Sequence, residues 1–219
     1  MKDMSDRQNT DTFLTLKSRS RVNLKFKDSR FIGSASPCRG REEAEEFIGD
    51  INEKFSDANH NAYAFRIFKG EELREFSDDD GEPSSSAGPP ILQHLQGKKI
   101  SNAAVVVTRY FGGTKLGIGG LIRAYGNTAG EVISRAEKER LALFYDFVCR
   151  GEYDQLGNTL AQLEKSMAII QNQGYKSGQF VVSARIEERK WNELKKGLRK
   201  TTGDGVEMEI KTSGFFPID

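Results

Sequence analysis

Five glycines fall within nine residues, at Gly112, Gly113, Gly117, Gly119 and Gly120, following the apolar run 103–107 after four intervening residues. No other stretch narrows the possible folds as much. The run Ala-Ala-Val-Val-Val is short and β-branched, which predicts a buried strand over 102–110. The glycines stop it. Leu121, Ile122, Tyr125, Ala129, Val132, Ile133 and Ala136 then recur at helical spacing, which predicts a helix over 118–138 with these residues on its apolar face. The unit is therefore strand, glycine-rich loop, helix. Such a loop turns successive backbone N–H groups outward, and the helix N-terminus adds positive potential, so an anion suits the site. Arg109, Lys115 and Arg123 bracket it, and no acid lies within it. Tight turning and close helix–sheet packing explain the same glycines without any ligand.

Two familiar phosphate loops are excluded. A P-loop requires Lys-Ser or Lys-Thr after its last glycine, whereas Ile118 and Gly119 follow Gly117. The dinucleotide fingerprint needs a third small residue, where this chain has Ile122.

The rest of the first half reads as α+β. Val22, Leu24 and Phe26 alternate with Asn23, Lys25 and Lys27, a half-buried strand with a basic outer face. A second strand starts at Arg30. Arg41 to about Phe55 is helical, with Ala44, Phe47, Ile48 and Ile51 on one side. Ala62–Phe68 and Leu73–Phe76 form two further strands, and Pro89 and Pro90 open a short helix. A second unit begins near Leu141. Its order is strand, helix, hairpin, helix, strand, the ferredoxin-like βαββαβ pattern. The predicted domains are thus 13–140 and 141–219, after a polar and disordered 1–12.

Composition sets outer limits. Hydrophobic content of 37% and charged content of 30% fit a globular chain. No apolar run approaches a membrane span, and the N-terminus lacks a signal-peptide core. Cys38 and Cys149 sit in no metal-ligand spacing, which predicts free thiols in a reducing cytoplasm. The net charge of +1 hides a pattern. Residues 17–41 carry eight bases and one acid, 42–82 carry fourteen acids and four bases, and 98–135 carry six bases and one acid. The basic tracts either meet as a positive face, or the acidic tract cancels them locally.

Several constellations suggest chemistry. Asp78, Asp79, Asp80 and Glu82 offer oxygens to a divalent cation, yet the EF-hand spacing is absent. The competing uses are a turn before the helix at Pro90, where negative charge suits the helix dipole, or pairing with Arg109 or Lys115. No metal and no cofactor are expected. Ser84–Ser86 suggest a hydroxyl cap for the same helix. His60 with Cys38 and an aspartate would make a nucleophilic set, but nothing beside Cys38 marks an activating helix N-terminus, so no catalytic residue is assigned. His94 lies between core leucines and is expected to face outward.

Four segments carry a resemblance. Residues 108–125, Thr-Arg-Tyr-Phe-Gly-Gly-Thr-Lys-Leu-Gly-Ile-Gly-Gly-Leu-Ile-Arg-Ala-Tyr, resemble the signature of the IMPACT/YigZ family. Asp79-Asp80-Gly81-Glu82-Pro83 with Ala87-Gly88, and Asn59-His60-Asn61-Ala62-Tyr63-Ala64-Phe65-Arg66, are similar to two more of its motifs, and Ser29–Ile32 to a weaker fourth. One departure stands out: Ser85-Ser86 replace the usual Gly-Thr, which touches any role that needs glycine's freedom at position 85. The resemblance implies a cytoplasmic protein linked to translation control with no established catalytic reaction. It also implies a first domain like the second domain of ribosomal protein S-five and a ferredoxin-like second domain. It marks His60, Asn61, Arg66, Asp79, Asp80, Glu82 and Tyr110 as motif residues.

Two functions are then expected as alternatives. In the first, a non-enzymatic protein binds RNA, the ribosome or a translation factor. Arg109, Lys115, Arg123 and the amides of Gly112, Gly113, Gly117, Gly119 and Gly120 would meet phosphates, Lys25 and Lys27 would widen the patch, and Gly126 and Gly130 would let the anion approach the helix. In the second, an enzyme acts on a phosphorylated or nucleotide substrate, with the 78–82 acids holding a cation.

Overall fold

The computed structural model describes residues 12–69 and 72–218. The chain folds as two compact units, one spanning Phe13–Arg140 and the other containing Leu141–Asp219. Most of the segment expected to be disordered, 1–12, lies outside the described residues. Thr12 itself opens a strand, β1 (Thr12–Leu16), that the sequence pattern does not announce. Its Leu14 bridges Ile100, and Lys17 N–H donates to the Glu137 carbonyl at 2.9 Å.

The first unit is built on a five-stranded sheet. Its strands are β2 (Ser20–Phe26), β3 (Ser29–Pro37), β4 (His60–Lys69), β5 (Glu72–Asp78) and β6 (Ala103–Tyr110), in the order β2-β3-β6-β4-β5, every neighbour antiparallel. β6 is central and buried on both faces, which is why its sequence is an unbroken apolar run rather than an alternation. Ala103, Val105 and Val107 join the core formed with α2 (Gly88–Gly97) and α3 (Ile118–Arg135). Ala104 and Val106 point the other way, into the cluster that Ala44, Phe47, Ile48 and Ile51 of α1 (Arg41–Lys54) cover.

Three details of the sequence reading change. Ile122, assigned to the apolar face of α3, is 40% exposed. α3 stops at Arg135 because Ala136 takes extended backbone angles, and the next strand begins at Lys138 rather than near Leu141. His94 does not face outward. It is half-buried against α3, where a β-carbon on Gly126 or Gly130 would lie 3.2 Å from its Nε2 or 2.8 Å from its Nδ1. Burial, then Lys98, holds its pKa below the ordinary 6.5. The small residues of α3 thus admit a helix, not an anionic surface.

The second unit comprises β7 (Lys138–Gly151), α4 (Leu156–Lys165), β8 (Ile169–Lys176), β9 (Gln179–Glu187), α5 (Glu188–Thr202) and β10 (Val206–Ile218). β9 lies between β7 and β8, and β10 pairs with β7. The strand order β10-β7-β9-β8 with two helices is the ferredoxin-like arrangement expected from the sequence. Phe147, Cys149, Phe180, Val182, Ala184 and Ile186 pack against Leu163, Trp191, Leu194 and Leu198.

On this sheet Asp146 collects donors from three other strands. Arg185 of β9 approaches it through Nε at 2.7 Å and Nη2 at 2.9 Å, Gln171 of β8 at 3.0 Å and Thr212 of β10 at 3.4 Å. Hydrogen bonds from Arg185 are the main reason its pKa lies below 3.8. A carboxylate with a depressed folded pKa contributes stability above its unfolded value and loses it as pH falls through the folded value. Asp146→Asn should therefore weaken the protein at neutral pH and flatten the loss of stability below about pH 4, read from urea midpoints across that range.

Candidate functional site

The segments singled out from sequence come from three separate loops, and the sheet brings them to one end. His60 opens β4 opposite Arg109 near the close of β6, and Arg30 of β3 pairs with Tyr110. The loop 111–117, the turn 78–87 and Asn59 meet there. The glycine loop is pinned from both sides. Asn59 Oδ1 accepts from Phe111 N–H at 2.7 Å, Asp28 Oδ2 accepts from Thr114 Oγ1 at 2.7 Å, and Lys27 Nζ donates to the Lys115 carbonyl at 3.3 Å. Gly112 packs so close to the β2–β3 turn that a β-carbon would overlap the Asp28 carbonyl. Gly117, the residue before α3, has φ of 71°, in the left-handed region that glycine adopts without strain. Gly113 also has positive φ, Gly120 packs on Leu116, and Gly119 faces open space.

At the floor lies a buried charge pair. Arg109 Nη1 donates to Glu82 Oε1 at 2.6 Å, and Tyr125 Oη donates to the same oxygen at 2.7 Å. Both charged side chains are more than nine-tenths buried. The guanidinium lies against the rings of Phe31 and Phe111, 5.7 and 5.4 Å from their centroids. Burial and the bond to Glu82 push the Tyr125 phenol far up, so it remains a donor. Arg109 Nε is buried and has no hydrogen-bond partner among the described residues. The sequence points to Arg109 as a phosphate contact. The structure instead gives its charge to Glu82, one of the two pairings the sequence left open.

The remaining acids have structural work. Asp79 accepts backbone N–H bonds from Ser85, Ala87 and Gly88 at 2.7, 2.8 and 2.9 Å, and so caps α2. That is the cap the sequence assigned to a serine hydroxyl; Ser86 Oγ is instead buried without a partner among the described residues. Asp80 Oδ2 accepts from Asn61 N–H at 2.6 Å, and its carbonyl accepts from His60 Nδ1 at 2.7 Å. Asn61 Oδ1 in turn takes Thr108 Oγ1 at 2.7 Å. Tyr110 Oη donates to Asp57 at 2.6 Å, which, with some burial, raises its pKa. Arg66 lies elsewhere. It donates to the Leu95 and Ile100 carbonyls and to Glu75, holding the end of α2. Among the described residues no group of three or more His, Cys, Asp or Glu side chains converges to hold a metal ion.

One further expectation is corrected, that for Lys25, and the Cys38–His60 pair, to which the sequence assigns no catalytic role, is widely separated. Lys25 alternates with Leu24 and Phe26, and Phe26 packs into the α3-side core, so Lys25 lies on the opposite face of β2 from that helix. Cys38 and His60 sit at opposite ends of β6. Pro37 pairs with Ala103 and His60 with Arg109, about 20 Å apart at strand spacing. Burial also pushes the Cys38 thiol up to about 11.

Above the floor opens a cleft of about 440 Å³. Phe111, Leu116, Ile118 and Leu121 contribute apolar surface to its lining, and His60, Glu82, Arg109 and Lys115 contribute polar groups. Of the basic residues, Lys27, Lys115 and Arg123 are exposed and take part in no ion pair among the described residues, while Arg19 and Arg109 are paired with Asp50 and Glu82. The two charge alternatives are thus both realised, at different residues.

Two measurements follow from this geometry. Ser85 has φ of 61°, so serine occupies a left-handed position at which a β-carbon costs about 1–2 kcal/mol. Ser85→Gly should raise stability by about 1 kcal/mol in urea unfolding. Glu82→Gln strips Arg109 of its counter-charge in a buried site and should cost on the order of 3 kcal/mol. Adding Arg109→Met should recover part of that loss, which a double-mutant cycle reads directly.

The Impact N-terminal domain matches residues 27–133. The chain is 32% identical over 191 residues to the IMPACT family member YvyE of Bacillus subtilis, covering 87% of each. It is 34% identical over 166 residues to an IMPACT family member of Haemophilus influenzae, covering 75% of this chain and 81% of that one. It is also 31% identical over 153 residues to YigZ of Escherichia coli, covering 69% and 75%. A crystal structure of a hypothetical protein aligns over 92% of this chain and 98% of its own, with a TM-score of 0.64 and 26% identity. With the signature 108–125 at the cleft and relatives covered over most of their length, the chain belongs to the IMPACT family.

Proposed function

We propose that this protein is a non-enzymatic cytoplasmic RNA-binding protein that acts in translation control through RNA or the ribosome. One observation carries the reading. An exposed aromatic ring, Phe111 at 44%, sits on the glycine loop beside Lys115, with Lys27 reaching the same loop, and neither base has an acid partner among the described residues. Bases of any sequence stack on such a ring, while unpaired cationic side chains track the phosphates. Arg123, exposed in the second turn of α3, adds a further cation on the helix that the loop leads into. α3 adds amide donors at its N-terminus, since among the described residues no side chain caps it and its first turn holds no acid. Asp28, which adjoins the loop, is bonded to Thr114.

The binding role is favoured over catalysis because the plausible nucleophiles are withdrawn. Cys38 and Cys149 are buried, with thiols pushed up to about 11 and about 12. A thiol so raised supplies little thiolate at neutral pH.

Counterion release gives a quantitative test. Three contacts, from Lys27, Lys115 and Arg123, at roughly −0.7 each set a log–log salt slope near −2 for single-stranded RNA. Lys115→Ala with Arg123→Ala should flatten the slope by about 1.4 and weaken binding to any sequence. Lys25→Ala should leave both unchanged, because that side chain lies on the other face of β2. Absence of salt-sensitive binding to RNA or ribosomal particles would rule this reading out and leave the surface to a protein partner such as a translation factor.

A further inference from the structure

Resting on the RNA reading, we propose that the cleft is a ribonucleotide pocket that holds one nucleoside monophosphate, either free or as the terminal nucleotide of an RNA. A cleft of about 440 Å³ lies in the range that small ligands occupy, about 300–1,000 Å³. Its lining offers the kinds of surface a nucleotide needs. Phe111, Leu116, Ile118 and Leu121 offer an apolar face for the base. Lys115 and the uncapped N-terminus of α3, an eighteen-residue helix, offer a cation and amide donors for the phosphate.

Arg109 contributes to the cleft lining with its charge already given to Glu82. Beside it, His60 is oriented. Nδ1 must donate to the Asp80 carbonyl, so in the neutral ring Nε2 is the acceptor, 4.0 Å from Glu82 Oε1. That acceptor suits a ribose hydroxyl, and a 2′-hydroxyl is what separates RNA from DNA at a site.

The test is a titration followed by amide and histidine ring resonances, using AMP, GMP, CMP, UMP, their 2′-deoxy forms and inorganic phosphate. Ribonucleotides should shift the amides of residues 117–121 and the His60 ring, with deoxy forms roughly fivefold weaker. His60→Ala should abolish that discrimination, bringing ribo and deoxy forms to equal affinity. Ile118→Glu, at a residue 61% exposed and so tolerant of charge, should block every nucleotide. Short RNAs with and without a 5′-phosphate, used as competitors, separate the sources. Displacement that depends on the terminal phosphate identifies an RNA end, and failure of both RNAs to displace AMP identifies a free nucleotide. Salt-sensitive RNA binding without any mononucleotide shift overturns the pocket and leaves the RNA reading intact. Mononucleotide shifts without RNA binding do the reverse. Equal affinity for inorganic phosphate and AMP also overturns the pocket, because it reduces the site to an anion hole.

Discussion

The ion pair between Arg109 and Glu82 sets the geometry of everything at this end of the sheet. Two charges withdrawn from water are tolerated only when their remaining hydrogen-bonding capacity is met closely by other groups. Tyr125 supplies one such bond from α3, and the rings of Phe31 and Phe111 close over the guanidinium. Glu82 is thereby tied to β6 and to α3 at once, although it belongs to the loop before α2. One pair fixes where the 78–87 turn, the central strand and the helix meet. Attraction across 2.6 Å in a poorly hydrated site falls off quickly with displacement, so the cleft walls are held to a narrow range of positions.

The acids at 79–82 show how identical chemistry is divided by placement. Asp79 faces backbone amides and caps a helix; the Asp80 carboxylate accepts the Asn61 amide at the start of β4; Glu82 faces an arginine. Neighbouring carboxylates point in different directions along a turn, and so they serve three separate elements rather than one cation. The turn that spreads them needs left-handed backbone at Asp80, Gly81 and Ser85. Aspartate tolerates that conformation through its short side-chain bonds, and glycine has no β-carbon to strain. Serine at 85 gains less relief, although its N–H is held by Asp79.

Periodicity made most of the fold legible. The apolar run 103–107, the spacing on α1 and α3 and the βαββαβ order each depend on neighbours a few residues away, which sequence displays directly. What depends on a distant partner was less visible. Lys25 reads correctly as an outward residue, yet alternation alone does not say which face of the sheet α3 covers. Gly126 and Gly130 read as an open stripe because His94 of α2, which fills the notch, lies more than thirty residues away in sequence. Pairing of Arg109 with Glu82 was visible only as an alternative, because buried arginine and exposed arginine are written with the same letter. The unmatched Nε and the fixed ring of His60 had no sequence signal, since both are properties of a closed hydrogen-bond network.

Preorganisation is what joins these observations to function. A glycine-rich loop left free would lose backbone entropy on meeting a ligand, about 1–2 kcal/mol for each residue it ordered. Here that cost is met on folding: Asn59 holds one end of the loop, Asp28 and Lys27 hold its middle, and Gly112 is wedged against the β2–β3 turn. The conformational freedom that the glycines supply in the unfolded chain is therefore used to reach one tight path, not to keep the loop mobile. A rigid frame of this kind presents Phe111, Lys115 and the α3 amides in fixed relation, which favours affinity by removing ordering costs at the moment of binding. It also explains why the signature extends from Thr108 to Tyr125. Its first residue anchors Asn61, its last anchors Glu82, and the residues between them form the surface that those two anchors hold in place.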